Sequence, residues 1–293
     1  MKGRRLFKIA MIPLILLAPA VLLRFFTFIY PLFKTIYLSF RDYDITRGTN
    51  AFAGFENFIR IAKDVTLQKS ISFTIIFVIF ATFGEIILGL IVAFMLNIKF
   101  RFQRFARIIV LIPWAIAPIA AALIFRWLLN PDYSIIGNLL PPTIFNMVSL
   151  SSPLGAKIAV ILAATWKNTP FIALILLAGM QGIPAELYEA AKIDGASQFQ
   201  VIRFISIPLI KPMIISTTIL FFIWQLATFD LIYGMTMGGP GYSTSVLSYK
   251  MFREAFSGLN FGYASAIGVV LFLVTVFVGI IGFIYWRKNE FTL

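Results

Sequence analysis

Residues 186–212 read ELYEAAKIDGASQFQVIRFISIPLIKP, a charged stretch with strongly apolar sequence on both sides. Pro184 suits a first helical turn, where its missing N–H has no partner to lose. Leu187, Ala190 and Ala191 then mark one helical face, flanked by Glu186 and Glu189. Asp194-Gly195 ends that helix, because glycine tolerates the left-handed backbone needed just past a C-terminus. Ser197 and Gln200 form a capping box that starts a second helix, and Phe199, Ile202 and Ile205 follow at helical spacing. The expectation is a hairpin of two short helices over residues 184–206, with Ile207-Pro208 leading into the next apolar run.

Outward from this stretch the chain is built for lipid. It has 293 residues, 60% hydrophobic and 13% charged, where soluble domains carry about 25% charge. A helix crosses a bilayer with about 20 mostly apolar residues. Six such runs are readable: Ile9–Tyr30, Ser70–Leu96, Ile108–Leu128, Gly155–Gln181, Ile207–Tyr233 and Gly262–Trp286. The fold class is therefore all-α, a polytopic bundle in one transmembrane domain over 1–293. The net charge of +13 points to the cytoplasmic membrane face rather than to nucleic acid. Lys2, Arg4, Arg5 and Lys8, then Lys99, Arg101, Arg104 and Arg107, then Arg287 and Lys288 alternate onto one side, as the positive-inside rule requires. Both termini are expected in the cytoplasm of a multi-pass cell-membrane protein. By parity the hairpin of 184–206 is cytoplasmic too, and the segments of about 41–69, 129–154 and 235–261 are external. The basic, apolar start also resembles a secretory signal; its apolar run continues through Phe28, and it is read as a retained span.

Histidine and cysteine are absent, so no thiolate nucleophile, disulfide or Cys/His metal site is expected. No catalytic residues and no metal ligands are assigned. Among the external segments, GFENFIRIAKD places Phe55, Phe58, Ile59 and Ala62 on one helical face, and turn residues from GGPGYSTS lead into a helix around Val246–Phe256. Within the fifth run, Phe221, Trp224, Gln225 and Thr228 fall at i, i+3, i+4 and i+7 as one aromatic and polar stripe. Flat rings and an amide suit a sugar; helix packing with Gln225 as interhelical glue accounts for the same pattern. Asn168 and Phe171 flank Pro170 in the fourth run, and Trp114 lies between Pro113 and a break at Pro118 in the third. Charges inside membranes suggest function. Glu85 and Lys167 lie within about 7 Å of depth by helical rise, which raises an internal ion pair, or alternatively a Glu85 satisfied by polar neighbours. Asp230 lies near the outer end of the fifth run.

EAAKIDGASQFQVIRFISIPL resembles the EAA motif of binding-protein-dependent ABC importers, through Glu189, Ala190, Ala191, Gly195, Ile207, Pro208 and Leu209, with Asp194 and Ala196 giving the DGA of the sugar-permease branch. LIPWAIAPIAAALIFRWLLNP, TFDLIYGMTMGGPGYST and FREAFSGLNFGYASA resemble that family's third span, the end of its fifth and the approach to its sixth. The likeness to the maltose, multi-sugar and glycerol-phosphate type implies a six-helix bundle of the maltose-permease, type I importer kind. It implies a permease subunit that forms half of a translocation pathway for a sugar or oligosaccharide, with a sister permease completing a heterodimer. It further implies a cytoplasmic ATPase dimer, coupled through Glu189, Ala190, Ala191, Asp194 and Gly195, and an extracytoplasmic solute-binding protein. The resemblance puts Phe221, Trp224, Gln225 and Thr228 on the solute path, and the positions of Asn168, Phe171 and Trp114 beside their prolines add these three to it as candidates. The chain has no G-x-x-x-x-G-K-[ST] phosphate loop, so ATP and magnesium belong to the partner and no cofactor is expected here. A glycerol-phosphate importer remains the alternative within the family. In a different class, an ion-coupled secondary transporter would use Glu85 or Asp230 as its proton site.

Overall fold

A computed structural model describes residues 16–98, 100–132 and 134–290. The expected start of the first span at Ile9, the N-terminal basic cluster and Lys99 lie outside the described residues. The elements in order are α1 (Leu16–Ser39), β1 (Arg41–Asp44), β2 (Thr49–Phe52), α2 (Glu56–Lys63), α3 (Val65–Asn97), α4 (Gln103–Ala115), α5 (Pro118–Leu128), α6 (Ile135–Leu139) and α7 (Pro142–Asn146). There follow α8 (Pro153–Gln181), α9 (Ala185–Ile193), α10 (Gln198–Leu226), α11 (Asp230–Met235), α12 (Leu247–Phe256) and α13 (Phe261–Glu290). Among the described residues five helices, α1, α3, α8, α10 and α13, are long and apolar enough to span a membrane, and α4 with α5 counts as a sixth when the bent pair is taken as one span. The chain divides into two compact units, residues 1–63 with 251–270, and residues 64–250 with 271–293.

In the first unit, β1 and β2 pair antiparallel with Arg41 opposite Phe52 and Asp44 opposite Thr49. This hairpin departs from the purely helical expectation. Its strands, RDYD and TNAF, carry no apolar alternation to announce them. Asp44 organises the turn by accepting from Thr46 Oγ1 at 2.5 Å and from the backbone N–H and Nε of Arg47 at 3.1 and 2.8 Å. These bonds, the Thr46 hydroxyl foremost, hold its carboxyl down at about 2. Asn57 in α2 donates to the carbonyls of Ser39 and Arg41 at 3.0 and 2.9 Å. The expected apolar face of α2 is present, and Phe55 and Phe58 meet Phe40 with ring centroids 5.4 Å apart.

The second unit is built on α3 and α8. Asp64 caps α3 by accepting from the N–H groups of Thr66 and Leu67 at 2.8 and 3.1 Å, so the helix starts one turn before Ser70. The two helices run parallel: Gly84 faces Thr165, and further along Gly89 faces Ile172. Phe73, Phe77 and Ala81 interlock with Ala159, Ala163 and Ala164 toward one end, and Ala93 and Leu96 with Ala173, Leu176 and Met180 toward the other. Small residues let backbones approach where lipid offers no hydrophobic driving force, so dispersion contacts dominate. At the start of α3, Ser70 bonds Ser245 at 2.8 Å, Thr74 Oγ1 accepts from the Leu247 N–H at 2.9 Å, and Lys250 donates to Thr66 at 2.7 Å. These anchor the turn-rich segment that precedes α12.

Two spans are interrupted, the third where the sequence places a break and the fifth where it does not. The third breaks at Ile116-Ala117, and its halves α4 and α5 meet at 86°. Pro118 makes a break possible here, having no N–H to continue the ladder and disfavouring helical backbone at Ala117. The fifth stops at Leu226 and resumes as α11, so Ile207–Tyr233 is not one helix. The two interruptions are neighbours: Gly234 of α11 lies so close to α5 that a β-carbon there would meet Ala122 Cβ at 2.7 Å.

A β-carbon on Gly89 would stand 2.5 Å from Ile172 Cγ2. Gly89→Val is therefore expected to force α3 from α8 at about 1–3 kcal/mol, read as a lowered unfolding midpoint in detergent, whereas Gly48→Val meets no atom within 4 Å and reports only backbone strain at φ +65°.

Candidate functional site

The side chain of Glu85, on α3, has no exposure. Its Oε1 accepts from Asn168 Nδ2 of α8 at 2.9 Å and from Gln225 Nε2 of α10. Among the described residues Oε2 has no hydrogen-bond partner. Gln225 passes the connection on, since its Oε1 accepts from the Thr228 hydroxyl at 2.8 Å, just beyond the end of α10. One carboxyl group thus joins three spans and the fifth-span break.

The expected Glu85–Lys167 ion pair does not form. Consecutive residues on a helix point about 100° apart, so only one of Lys167 and Asn168 can face α3, and Asn168 does. Lys167 turns to the broken third span and donates from Nζ to the carbonyls of Trp114 at 3.1 Å and Ile116 at 2.9 Å. The alternative reading, a Glu85 satisfied by polar side chains, is the arrangement found.

Beside this connection lies a cavity of about 480 Å³, bordered by both breaks and by Lys167, Asn168, Trp224, Gln225, Thr228 and Asp230. Irregular backbone at membrane depth is tolerated where it lines a cavity or is buried in protein; residues 227–229 and, at the third-span break, Pro118 line this one. Four of the seven expected pathway residues, Asn168, Trp224, Gln225 and Thr228, line it. Trp114, Phe171 and Phe221 do not. They extend from Trp224 as a row of rings: Phe221–Trp224 at 6.4 Å, Phe171–Phe221 at 6.2 Å, and Trp114 stacked on Phe171 at 4.6 Å. The single stripe expected along the fifth span is also divided. Phe221 and Gln225 are 3% and 2% exposed and Trp224 is 61% exposed, while Thr228 sits past the helix end. Lys167 and Asp230, singled out from the sequence as intramembrane charges but not placed on the solute path, both border the cavity.

The hairpin has the local chemistry read from the sequence. Gly195 is left-handed at φ +74°, and the Ser197–Gln200 capping box closes with both bonds, 2.7 and 3.3 Å. Its second helix is not short, however. α10 continues into the fifth span, passing Pro208 by a π-bulge at Ile202–Ser206, where the missing proline N–H is accommodated by a wider turn. Glu189, Ala190, Asp194 and Gly195 are exposed, whereas Ala191 faces inward at 9%. Ile193, not singled out from the sequence, is 86% exposed.

Residues 85–288 match the family described as "Binding-protein-dependent transport system inner membrane component". The chain belongs to this family. This permease is 36% identical over 268 residues to the sulfoquinovosyl glycerol transport system permease of Agrobacterium fabrum, covering 91% of this chain and 87% of that one. It is 37% identical to the trehalose/maltose transport system permease of Thermococcus litoralis, covering 85% and 84%. The sn-glycerol-3-phosphate transport system permease of Salmonella typhimurium is 30% identical, covering 97% and 96%. A solved bacterial ABC transporter involved in import of the acidic polysaccharide alginate has a chain of the same fold, with a TM-score of 0.85 at 20% identity over 98% of this chain and 99% of that one. The permease is thus a multi-pass transport subunit of an ABC importer, which sets aside the ion-coupled secondary transporter.

Removing the shared acceptor tests the connection at Glu85. Glu85→Ala leaves two buried amide donors unsatisfied, at about 1–3 kcal/mol each, and Glu85→Gln, which keeps a carbonyl oxygen, is expected to cost about 1 kcal/mol. Reversible unfolding in mixed micelles measures the difference; equal midpoints for wild type and Glu85→Ala would remove the energetic role given to this group.

Proposed function

We propose that the solute of this permease is a neutral sugar or short oligosaccharide, held beside Trp224. The observation that carries this is the make-up of the cavity. Trp224 offers an exposed indole face for the C–H surface of a pyranose, with the Thr228 hydroxyl and the Asp230 carboxylate on the same wall as partners for sugar hydroxyls. A phosphate ester would call for a free cation. The cation bordering the cavity, Lys167, already serves two backbone carbonyls. Two of the relatives carry sugar-containing solutes in their names, which supports the saccharide over the glycerol-phosphate alternative.

In this reading a sister permease supplies the other half of the path and an external binding protein delivers the solute. A separate cytoplasmic ATPase dimer holds ATP and magnesium, so this chain needs no cofactor of its own. Both termini and the hairpin of 184–206 face the cytoplasm. Glu189, Ala190 and Ile193 meet the ATPase: the small residue allows close approach, the acid pairs with a base, and the exposed isoleucine fills an apolar notch. Gly195 and Asp194 make the bend that presents them, and Ala191 seats the hairpin on its own bundle. Closure of the ATPase on ATP biases a two-state bundle between inward and outward access through that contact.

The test is uptake by the reconstituted importer. Radiolabelled saccharide is expected to enter only with ATP on the ATPase side and binding protein on the other. Glu189→Lys is expected to lower uptake at least about tenfold with assembly intact, since losing one buried interfacial charge pair costs about 2–5 kcal/mol. Competition by glycerol phosphate but not by neutral sugars would overturn the solute assignment. Uptake at full rate without the ATPase would overturn the coupling.

A further inference from the structure

The last turn of α4 has a problem that no backbone group in the third span solves. The final carbonyls of any helix lack intrahelical donors. Here the residue that would serve Trp114 is Pro118, which has no N–H to give. Ile116 follows in extended conformation at ψ 133°, turning its own carbonyl out of the ladder. Water satisfies such groups at a surface; in hydrocarbon they must be met by protein. Lys167 meets both at once, 3.1 Å from the Trp114 oxygen and 2.9 Å from that of Ile116. Its residue is 9% exposed, and among the described residues no carboxylate stands within ion-pair distance of it. The negative end of a helix dipole is where a cation is favoured, so the charge and the carbonyls stabilise each other.

We propose that Lys167 is the positioning residue that keeps the third span broken: its ammonium group caps α4 inside the membrane, and so fixes where Pro118 stands as a wall of the solute cavity. The fourth span thereby sets the shape of the third through one side chain, while its neighbour Asn168 holds the second span through Glu85. The role is independent of which solute the cavity takes.

The absence of native cysteine makes the break measurable. Spin labels on Arg104→Cys in α4 and Trp127→Cys in α5, in the assembled importer, report the end-to-end distance of the span by pulsed electron paramagnetic resonance. With an 86° bend these sites stand roughly 10 Å closer than in a continuous helix at 1.5 Å per residue. Lys167→Met is expected to move the distribution several ångströms (about 5 Å or more on that helical scale) toward the longer limit. Lys167→Arg, which retains a cation and can donate to both carbonyls, is expected to restore the wild-type distance. A purely space-filling role for Lys167 predicts the reverse order, with Met closer to wild type than Arg. A wild-type distance in Lys167→Met overturns the proposal. Should that variant fail to assemble, magic-angle-spinning recoupling between ¹⁵Nζ of Lys167 and the ¹³C carbonyls of Trp114 and Ile116 decides on the wild-type protein: couplings of hydrogen-bonded neighbours uphold the proposal, and their absence overturns it.

Discussion

A carboxyl group without access to water joins three membrane helices, and the second unit depends on where it sits. Glu85 fixes the rotation of α3, because it must face Asn168 on α8 and Gln225 on α10. Apolar packing alone leaves rotation loosely specified in lipid, where a leucine toward a neighbour and a leucine toward an acyl chain differ little. A buried polar group does not have that freedom, since turning it outward strands it in hydrocarbon. The Ala- and Gly-rich seam between α3 and α8 supplies closeness, and the Glu85 connection supplies register.

Register at that level determines what the two breaks can build. Gln225 and Thr228 lie on either side of the end of α10 and bond each other, while Lys167 and Asn168 on α8 reach opposite ways, one to the third-span break and one to Glu85. The cavity opens where these irregular segments meet. Its wall therefore combines backbone that helical regularity does not occupy with side chains such as Lys167, Asn168 and Gln225 whose partners fix them in place. The hairpin stands on the same helix: α10 runs from Gln198 to Leu226, so the capped start near Gly195 and the cavity end near Gln225 belong to one element. The hairpin and the cavity end are thus joined by one helix, with a π-bulge at Ile202–Ser206 and Pro212 along its length.

Much of this was legible because lipid simplifies the code. Apolar run length gave the spans, and capping chemistry at Ser197, Gln200 and Gly195 gave the turn of the hairpin at single-residue resolution. Pro118 announced the third-span break. Partner choice was hidden: depth along two helices places Glu85 near both Lys167 and Asn168, and only helix rotation separates them. The end of α10 at Leu226 was hidden as well, because Ala227-Thr228-Phe229 is as apolar as the helix before it and contains neither glycine nor proline. The small β-hairpin escaped because RDYD and TNAF show no apolar alternation, and its turn is specified by Asp44 side-chain bonds rather than by an Asn-Gly or Asp-Gly pair.

Whether one carboxyl truly holds α8 to α10 is answered most directly by a double-mutant cycle on its two donors. Asn168→Ala, Gln225→Ala and the double variant are unfolded reversibly in mixed micelles. Donors that share Glu85 Oε1 are expected to couple, with a non-additive difference of about 0.5–3 kcal/mol. Strict additivity of the two losses would contradict the account, because it would mean that the fourth and fifth spans meet the second independently.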